Sequence, residues 1–212
     1  MSFLSKTLLS LILLIALSSC MTTPPKPPLT IVLNKNCTVT PILEPATPII
    51  TDTTKKSFSI TTEITTIALC LEETPGAKSL YHVYRLPRGF EAMDITIGAL
   101  REEARILAPI VKVYDPKGSV TRAFDNDDFL FRGAHYSVQF RNRPGDAFIL
   151  IASNPSIVGE VSSNISNTVT STSYSTGTGA FFTMYSGQET QQQAKFSHTG
   201  SILLEARRLS KQ

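Results

Sequence analysis

The chain has 212 residues, with 20 basic and 17 acidic side chains, three cysteines, 13 prolines and no tryptophan. Charges of both signs are mixed along it, and a net +3 is too small and too dispersed for a nucleic-acid-binding surface. With no tryptophan and only 8% aromatic residues, it also lacks the exposed indole platforms that sugar-binding surfaces often use.

The first element is an export signal over residues 1–19. Lys6 supplies the positive start, Leu8 to Leu17 the apolar run, and Ser18-Ser19 the small residues before Cys20. The apolar run is too short to cross a hydrocarbon layer, which takes about 20 helical residues. A cysteine directly after the small residues resembles the lipobox of bacterial lipoproteins, and the resemblance implies that Cys20 is the lipid-attachment residue and the first residue of the mature protein. Each buried CH₂ of such acyl chains contributes about 0.8 kcal/mol of membrane transfer, so two or three chains hold permanently. In Gram-negative lipoproteins an aspartate after the cysteine signals retention at the inner membrane. Met21 stands there instead, which favours the periplasmic face of the bacterial outer membrane.

Residues 20–55 read as a tether rich in Pro and Thr. Four prolines lie between Thr22 and Pro28, and a second such stretch, Pro41 to Pro48, follows the short β-like run Ile31-Val32-Leu33. Proline fixes φ and removes an amide donor, which favours an extended spacer over a packed element. With Cys20 assigned to lipid, Cys37 and Cys70 are the one intramolecular pair left for a disulfide in an oxidising compartment. Cys70 also ends the apolar stretch Ile67 to Cys70, where it reads equally as a buried small hydrophobe.

Residues 56–212 are expected to form one domain, an all-β antiparallel sandwich, jelly-roll-like, built of short strands. Apolar and polar residues alternate in Phe58–Thr61, approximately in Leu80–Tyr84, in Met93–Ile97, and again through Asp128–Phe131 and Tyr136–Phe140, giving these runs a wet and a dry face. Asp115-Pro116-Lys117-Gly118 predicts a type I turn after Ile110–Tyr114, and Arg143-Pro144-Gly145-Asp146 a second tight turn. Ala147–Ala152 is apolar throughout, as expected of a central strand covered on both faces. Ala99 to Leu107 consists of good helix formers and reads either as a short helix or as a long β connection. The insertion at about 161–200 is rich in Ser, Thr, Asn and Gln, and Gly179 to Tyr185 inside it has strand composition. It reads as a hairpin, folded back on the sandwich or paired with a partner, or as a solvated loop. Ser201–Ala206 supplies a last strand.

No catalytic residue and no metal ligand is singled out, and no cofactor is expected. A G-x-S-x-G nucleophile setting is missing, and His82, His135 and His198 are widely spaced, without H-E-x-x-H or Cys-x-x-Cys context. The chain is therefore read as a non-enzyme, with a hydrolase built on one of these histidines as the alternative. Gly177-Thr178-Gly179 lacks the further glycine and lysine of a phosphate loop. Asp125-Asn126-Asp127-Asp128 has oxygen ligands that suit calcium, but lacks an EF-hand's glycine and bidentate glutamate and reads as a turn. Glu72-Glu73 and Glu102-Glu103 are neighbours that a strand would point to opposite faces.

Ser79–Pro87, Ala108–Asp115, Asp146–Ser153 and Gly200–Glu205, in that order and spacing, resemble the β domain of the periplasmic maltose operon protein family over about residues 79–206. The resemblance implies a non-enzymatic envelope protein with a jelly-roll-like sandwich and a connection to carbohydrate uptake. The chain departs from that family in carrying a lipobox and in stopping soon after the last strand. The expected partners are the membrane, through the N-terminal lipid, and an envelope protein or a glycan. An accessory subunit of a secretion, pilus or attachment machine is the alternative class.

Overall fold

The computed structural model describes residues 33, 35–50, 57–88, 91–133, 135–175 and 181–209. The export signal, Cys20 and the first proline-rich stretch lie outside the described residues. Among the described residues fourteen strands follow one another: β1 (Thr47–Pro48), β2 (Ser57–Ile64), β3 (Leu69–Thr74), β4 (Ala77–Arg85), β5 (Met93–Glu102), β6 (Arg105–Leu107) and β7 (Pro109–Tyr114). After them come β8 (Val120–Phe124), β9 (Leu130–Arg132), β10 (His135–Arg141), β11 (Phe148–Ser153), β12 (Val161–Ser175), β13 (Phe181–Ser197) and β14 (Gly200–Arg208). A single 3₁₀ turn, Asn126–Asp128, is the one helical element among the described residues.

The strands form two sheets packed as an all-β sandwich. The first has the order β1-β4-β11-β7-β8, with β3 also paired to β4. In the second, β9, β10 and β5 are neighbours, β14 lies on β5 and β2 on β14, while the end of β5 turns into β6, which carries β13 and β12. Pairing is antiparallel except for β1 on β4 and β6 on β13, two parallel contacts that depart from the wholly antiparallel expectation. Alternation decides which side chains fill the space between the sheets. From β5 these are Met93, Ile95, Ile97 and Ala99, from β14 Ile202, Leu204 and Ala206, and from the facing sheet Leu80, Tyr84, Ile149 and Ile151, all buried in one cluster. The two sheets are also joined by a hydrogen bond 2.6 Å long, which the Tyr84 hydroxyl donates to Thr62 Oγ1.

Strand β11 lies between β4 and β7 and is buried on both faces, as its unbroken apolar sequence requires. Ile149 and Ile151 face the other sheet, while Leu150 and Ala152 join Leu71, Tyr81, Val83 and Tyr114 in a second cluster on the outer face. Leu43 and Ala46 help to cover that outer cluster.

Part of the stretch expected to be a tether is therefore laid against the sandwich. Residues 35–50 form a strap held by a Cys37–Cys70 disulfide, with Cα atoms 4.7 Å apart. Thr38 donates its amide to the Cys70 carbonyl at 3.1 Å, Ile42 donates to the Tyr81 hydroxyl at 2.8 Å, and Thr47-Pro48 add to the edge of β4. The prolines do not prevent this, because a strap crossing a sheet face needs apolar anchors and a few amides, not a full ladder.

Both predicted turns form. Gly118 donates to the Asp115 carbonyl at 3.1 Å and has φ 82°, and the register slips between Val113 and Tyr114, which is a type I turn closed by a glycine bulge. Asp146 donates to the Arg143 carbonyl at 3.1 Å with Gly145 at φ 93°, the geometry of a type II turn. The helix-forming stretch 99–107 is a hairpin. Ala99, Ile106 and Leu107 are fully buried, so sheet packing overrides local helix propensity, and an Arg105–Glu102 ion pair of 2.7 Å closes the turn.

Candidate functional site

The polar insertion is a two-stranded ribbon. Strands β12 and β13 pair without a register break from Val161↔Lys195 to Ser175↔Phe181. At about 3.3 Å per residue this is a ribbon of roughly 45 to 50 Å. Its root is fixed to the sandwich. Lys195–Ser197 pair in parallel with β6, Lys195 donates to the Ala104 carbonyl at 2.7 Å, and Ala108 donates to the Ser197 carbonyl at 2.9 Å. Ala194 and Phe196 are buried in the main core, the Phe196 ring 5.3 Å from that of Tyr136. At the corner into β14, Gly200 has φ 151°, and a side-chain carbon there would lie 3.2 Å from the Leu107 amide nitrogen.

Toward its tip the ribbon is exposed. Tyr174 opposes Phe182, and Thr172 opposes Met184, so these four share one face, while Tyr185 opposes Ser171 on the other. Phe182, Met184 and Tyr185 are 60%, 66% and 74% exposed. In the strands of the sandwich, side chains of this size are mostly covered.

A groove of about 660 Å³ crosses the outward face of the second sheet. Cross-strand register sets its side chains in rows: Arg141, Asp94, Arg207 and Ser57 in one, Gln139, Thr96, Glu205 and Ser59 in the next. Asp94 holds both guanidiniums, at 3.1 Å from Arg141 and 3.4 Å from Arg207, and Gln139 donates to the Thr96 hydroxyl at 3.3 Å. The wet half of the alternation in β2, β5, β10 and β14 is the signal for such a row, but only pairing between positions 57 and 207 shows which residues share it.

The structure does not bring the three histidines to one place. His82 of β4 is within 2.9 Å of Thr47 Oγ1 through Nε2, and its ring meets that of Tyr84 edge-on at 4.8 Å. Burial holds its pKa below the usual 6.5. His135 lies on β10 opposite Leu100. His198, at the corner between β13 and β14, is within 2.9 Å of Ser153 Oγ through Nδ1, and burial lowers its pKa as well. A serine hydroxyl beside an imidazole is the start of a nucleophile arrangement. Here Ser153 is fully buried and its oxygen accepts the Leu80 amide at 3.0 Å, so the contact joins β4 and β11 to the root of the ribbon.

The acidic clusters are engaged locally. Asp125 and Asp128 form the reciprocal cap of the 3₁₀ turn. The Tyr136 hydroxyl donates to the Asn126 carbonyl at 2.9 Å, and its pKa is pushed up to about 12 by burial, with the Asp127 and Asp125 charges adding to it. Glu73 pairs with Lys112, and Glu72 accepts the Gly76 amide at 2.7 Å. For Glu102, burial alone would raise the pKa, but hydrogen bonds from Ser201 and Arg105 and the Arg105 charge bring it below the usual range. Among the described residues no group of three or more His, Cys, Asp and Glu could hold a metal ion.

Sequence reasoning placed Asp146 only in a turn and did not single out Arg122, yet the two form the most enclosed ion pair among the described residues, with side chains 3% and 13% exposed. The guanidinium lies over the stacked Phe124 and Phe140 rings, 5.9 and 5.2 Å from their centroids. Asp146 also accepts the Arg143 amide at 2.8 Å and the Thr121 hydroxyl at 3.1 Å. The turn at 143–146 thus carries a charge that joins β8 to β10.

Comparison of the chain with protein-family models, with curated proteins and with solved structures finds no match.

Proposed function

We propose that the protein is a bacterial lipoprotein, anchored through acylated Cys20 at the periplasmic face of the outer membrane, with a non-catalytic sandwich that presents the ribbon to another envelope component. The lipobox ending in Cys20 supports the anchor. The observation that carries the contact role is the ribbon itself, a neutral, exposed element rooted in the core and bearing Tyr174, Phe182, Met184 and Tyr185 in water. An isolated two-stranded hairpin is marginal on its own, and exposed apolar groups at the end of a rooted arm favour a protein surface as the contact. The exposed ribbon supports the reading of an accessory subunit of an envelope machine over that of a free-standing carbohydrate-uptake protein.

The experiment is photocrosslinking in cells from Tyr174 and Met184 positions, with palmitate labelling of the native chain and of Cys20→Ser. The reading expects one dominant crosslinked species, and label and membrane fractionation that vanish with Cys20→Ser. Crosslinks spread over many proteins, or a Cys20→Ser form that keeps its label and its membrane fractionation, would overturn it.

The groove over Asp94, Arg141, Arg207 and Gln139 favours a second reading, glycan binding. Its donors and acceptors alternate at the strand spacing, and it offers hydrogen bonds without an aromatic platform. The link to carbohydrate uptake rests on the family resemblance alone. Retention on a polysaccharide column, release by free sugar and loss of retention in Gln139→Ala support this reading, and passage through the column unretained removes it.

A further inference from the structure

We infer that the occupant of the ribbon is a second copy of this chain, added edge to edge so that β12 of one copy lies antiparallel against β13 of the next. The inference rests on the reading that the ribbon is the contact element, and it names the partner.

Two rows of backbone groups carry it. Among the described residues β12 pairs with β13 alone, and β13 has a second neighbour only over Lys195–Ser197, where β6 lies. The outer edges of residues 161–175 and 181–194 therefore present open ladders of N–H and C=O groups, interrupted at the root where Arg101 donates to the Gln193 carbonyl at 3.1 Å. Natural sheets block such edges with lysines, prolines, bulges or a covering loop. Residues 161–194 contain no Lys, Arg, Asp or Pro, the pairing runs through 15 positions without a register shift, and no other strand among the described residues covers the two edges beyond the root.

Charge selects the occupant. Glu189 is the one formal charge in those 34 positions, whereas the rest of the chain is rich in both signs. A ribbon of this composition offers a charged partner a single carboxylate to pair with, and it meets little charge repulsion from its own kind. The two edges are both polar, β12 rich in Ser and Thr and β13 in Gln, and Asn and Gln side chains add hydrogen bonds between stacked strands. One copy has a free β12 edge and a free β13 edge on opposite sides, so the contact is head-to-tail, and it closes into a ring or continues according to the rotation between copies. At the strand spacing of about 4.8 Å, neighbouring tips come side by side, and Tyr174, Phe182 and Met184 of one copy meet the same face of the next.

The test uses the full-length acylated protein in detergent. Its mass is measured by native mass spectrometry, and backbone amide exchange is followed along β12 and β13 at low and high protein concentration. The expected result is a multimer whose ribbon amides gain protection as concentration rises. A Tyr174→Lys/Phe182→Lys/Met184→Lys variant, with the sandwich amides as its folding control, should associate about tenfold more weakly or worse, because like charges oppose one another across each junction. A Thr183→Pro variant gives a second route to the same loss by blocking the ladder without adding charge. A chain that stays monomeric, or a multimer in which ribbon protection and mass are indifferent to both variants, overturns the inference. A single crosslinked partner of different sequence in cells removes self-pairing but leaves the ribbon as the contact element. A ribbon that gives no dominant crosslink removes both.

Discussion

The sandwich and the ribbon are made of the same secondary structure and are stabilised in opposite ways. In the sandwich the inner strands have a dry face, and β11 has two; Ile95, Ile97, Ile149, Ile151, Ile202 and Leu204 are fully buried. In the ribbon backbone pairing is as regular as anywhere in the molecule, yet Tyr174, Phe182, Met184 and Tyr185 stand in water. Hydrogen bonding alone contributes little net stability, since the unfolded chain makes the same bonds to water, and burial is what separates the two regions. The body is held together by burial, and the outer ribbon by backbone pairing with little burial.

Several changes would break or sharpen this contrast. The largest effect is expected from Asp146→Ala, which leaves Arg122 enclosed against Phe124 and Phe140 without its counter-charge, at a cost of about 3 to 5 kcal/mol. Urea unfolding of the body checks it, and a loss below 1 kcal/mol would show that water reaches the guanidinium. Replacing Cys37 and Cys70 by serine opens a closure spanning 33 residues and removes about 3 to 4 kcal/mol on the chain-entropy model. The same release should appear as faster amide exchange in the strap over residues 38–46, with β12 and β13 unaffected. Gly200→Ala forces a left-handed backbone and a 3.2 Å contact on Leu107, costing about 1 to 3 kcal/mol. It should loosen the root of the ribbon before the far side of the sandwich, as read by exchange at Lys195–Ser197 against β11.

The pH dependence divides the regions more gently. His82 and His198 have folded pKa values below 6.5, so the unfolded chain binds their protons first as pH falls. Their contribution is full above pH 6.5 and is lost as pH drops through the folded values. Glu102 has the same sign in the carboxylate range below its usual 4.5, and acts at the hairpin beneath the ribbon. A thermal melting series should therefore decline on the acid side, and His82→Gln together with His198→Gln should flatten the first part of the decline. The smallest effect is expected at the tip. Met184→Ser should change the stability of the body by no more than about 0.5 kcal/mol while weakening whatever contact the ribbon makes. A larger loss in melting would mean that the tip packs on the body, and the contrast between the regions would fail.

Much of this was legible in the residues. Alternation in Met93–Ile97 and Tyr136–Phe140 marks faces, Asp115-Pro116-Lys117-Gly118 and Arg143-Pro144-Gly145-Asp146 mark reversals, and the apolar run through Ile149 and Ile151 marks a covered strand, because each is a local consequence of backbone and side-chain geometry. Arg122 with Asp146, the strap over Tyr81 and the row Arg141, Asp94, Arg207 were not, since each depends on residues far apart in the chain. Ala99–Leu107 shows the limit from the other direction, as its helix-forming residues yield to the space left for Ile106 and Leu107 between the sheets.

By itself the sequence determined the all-β character, the places where strands end, and the nearly uncharged composition of residues 161–194. Only the tertiary structure decided that Cys37 meets Cys70, that a proline-rich stretch is a strap, and that the polar insertion is a rooted ribbon with open edges. The reason is physical: periodicity records which side of a strand faces water, whereas the choice of neighbour depends on distances that close only when the whole core packs.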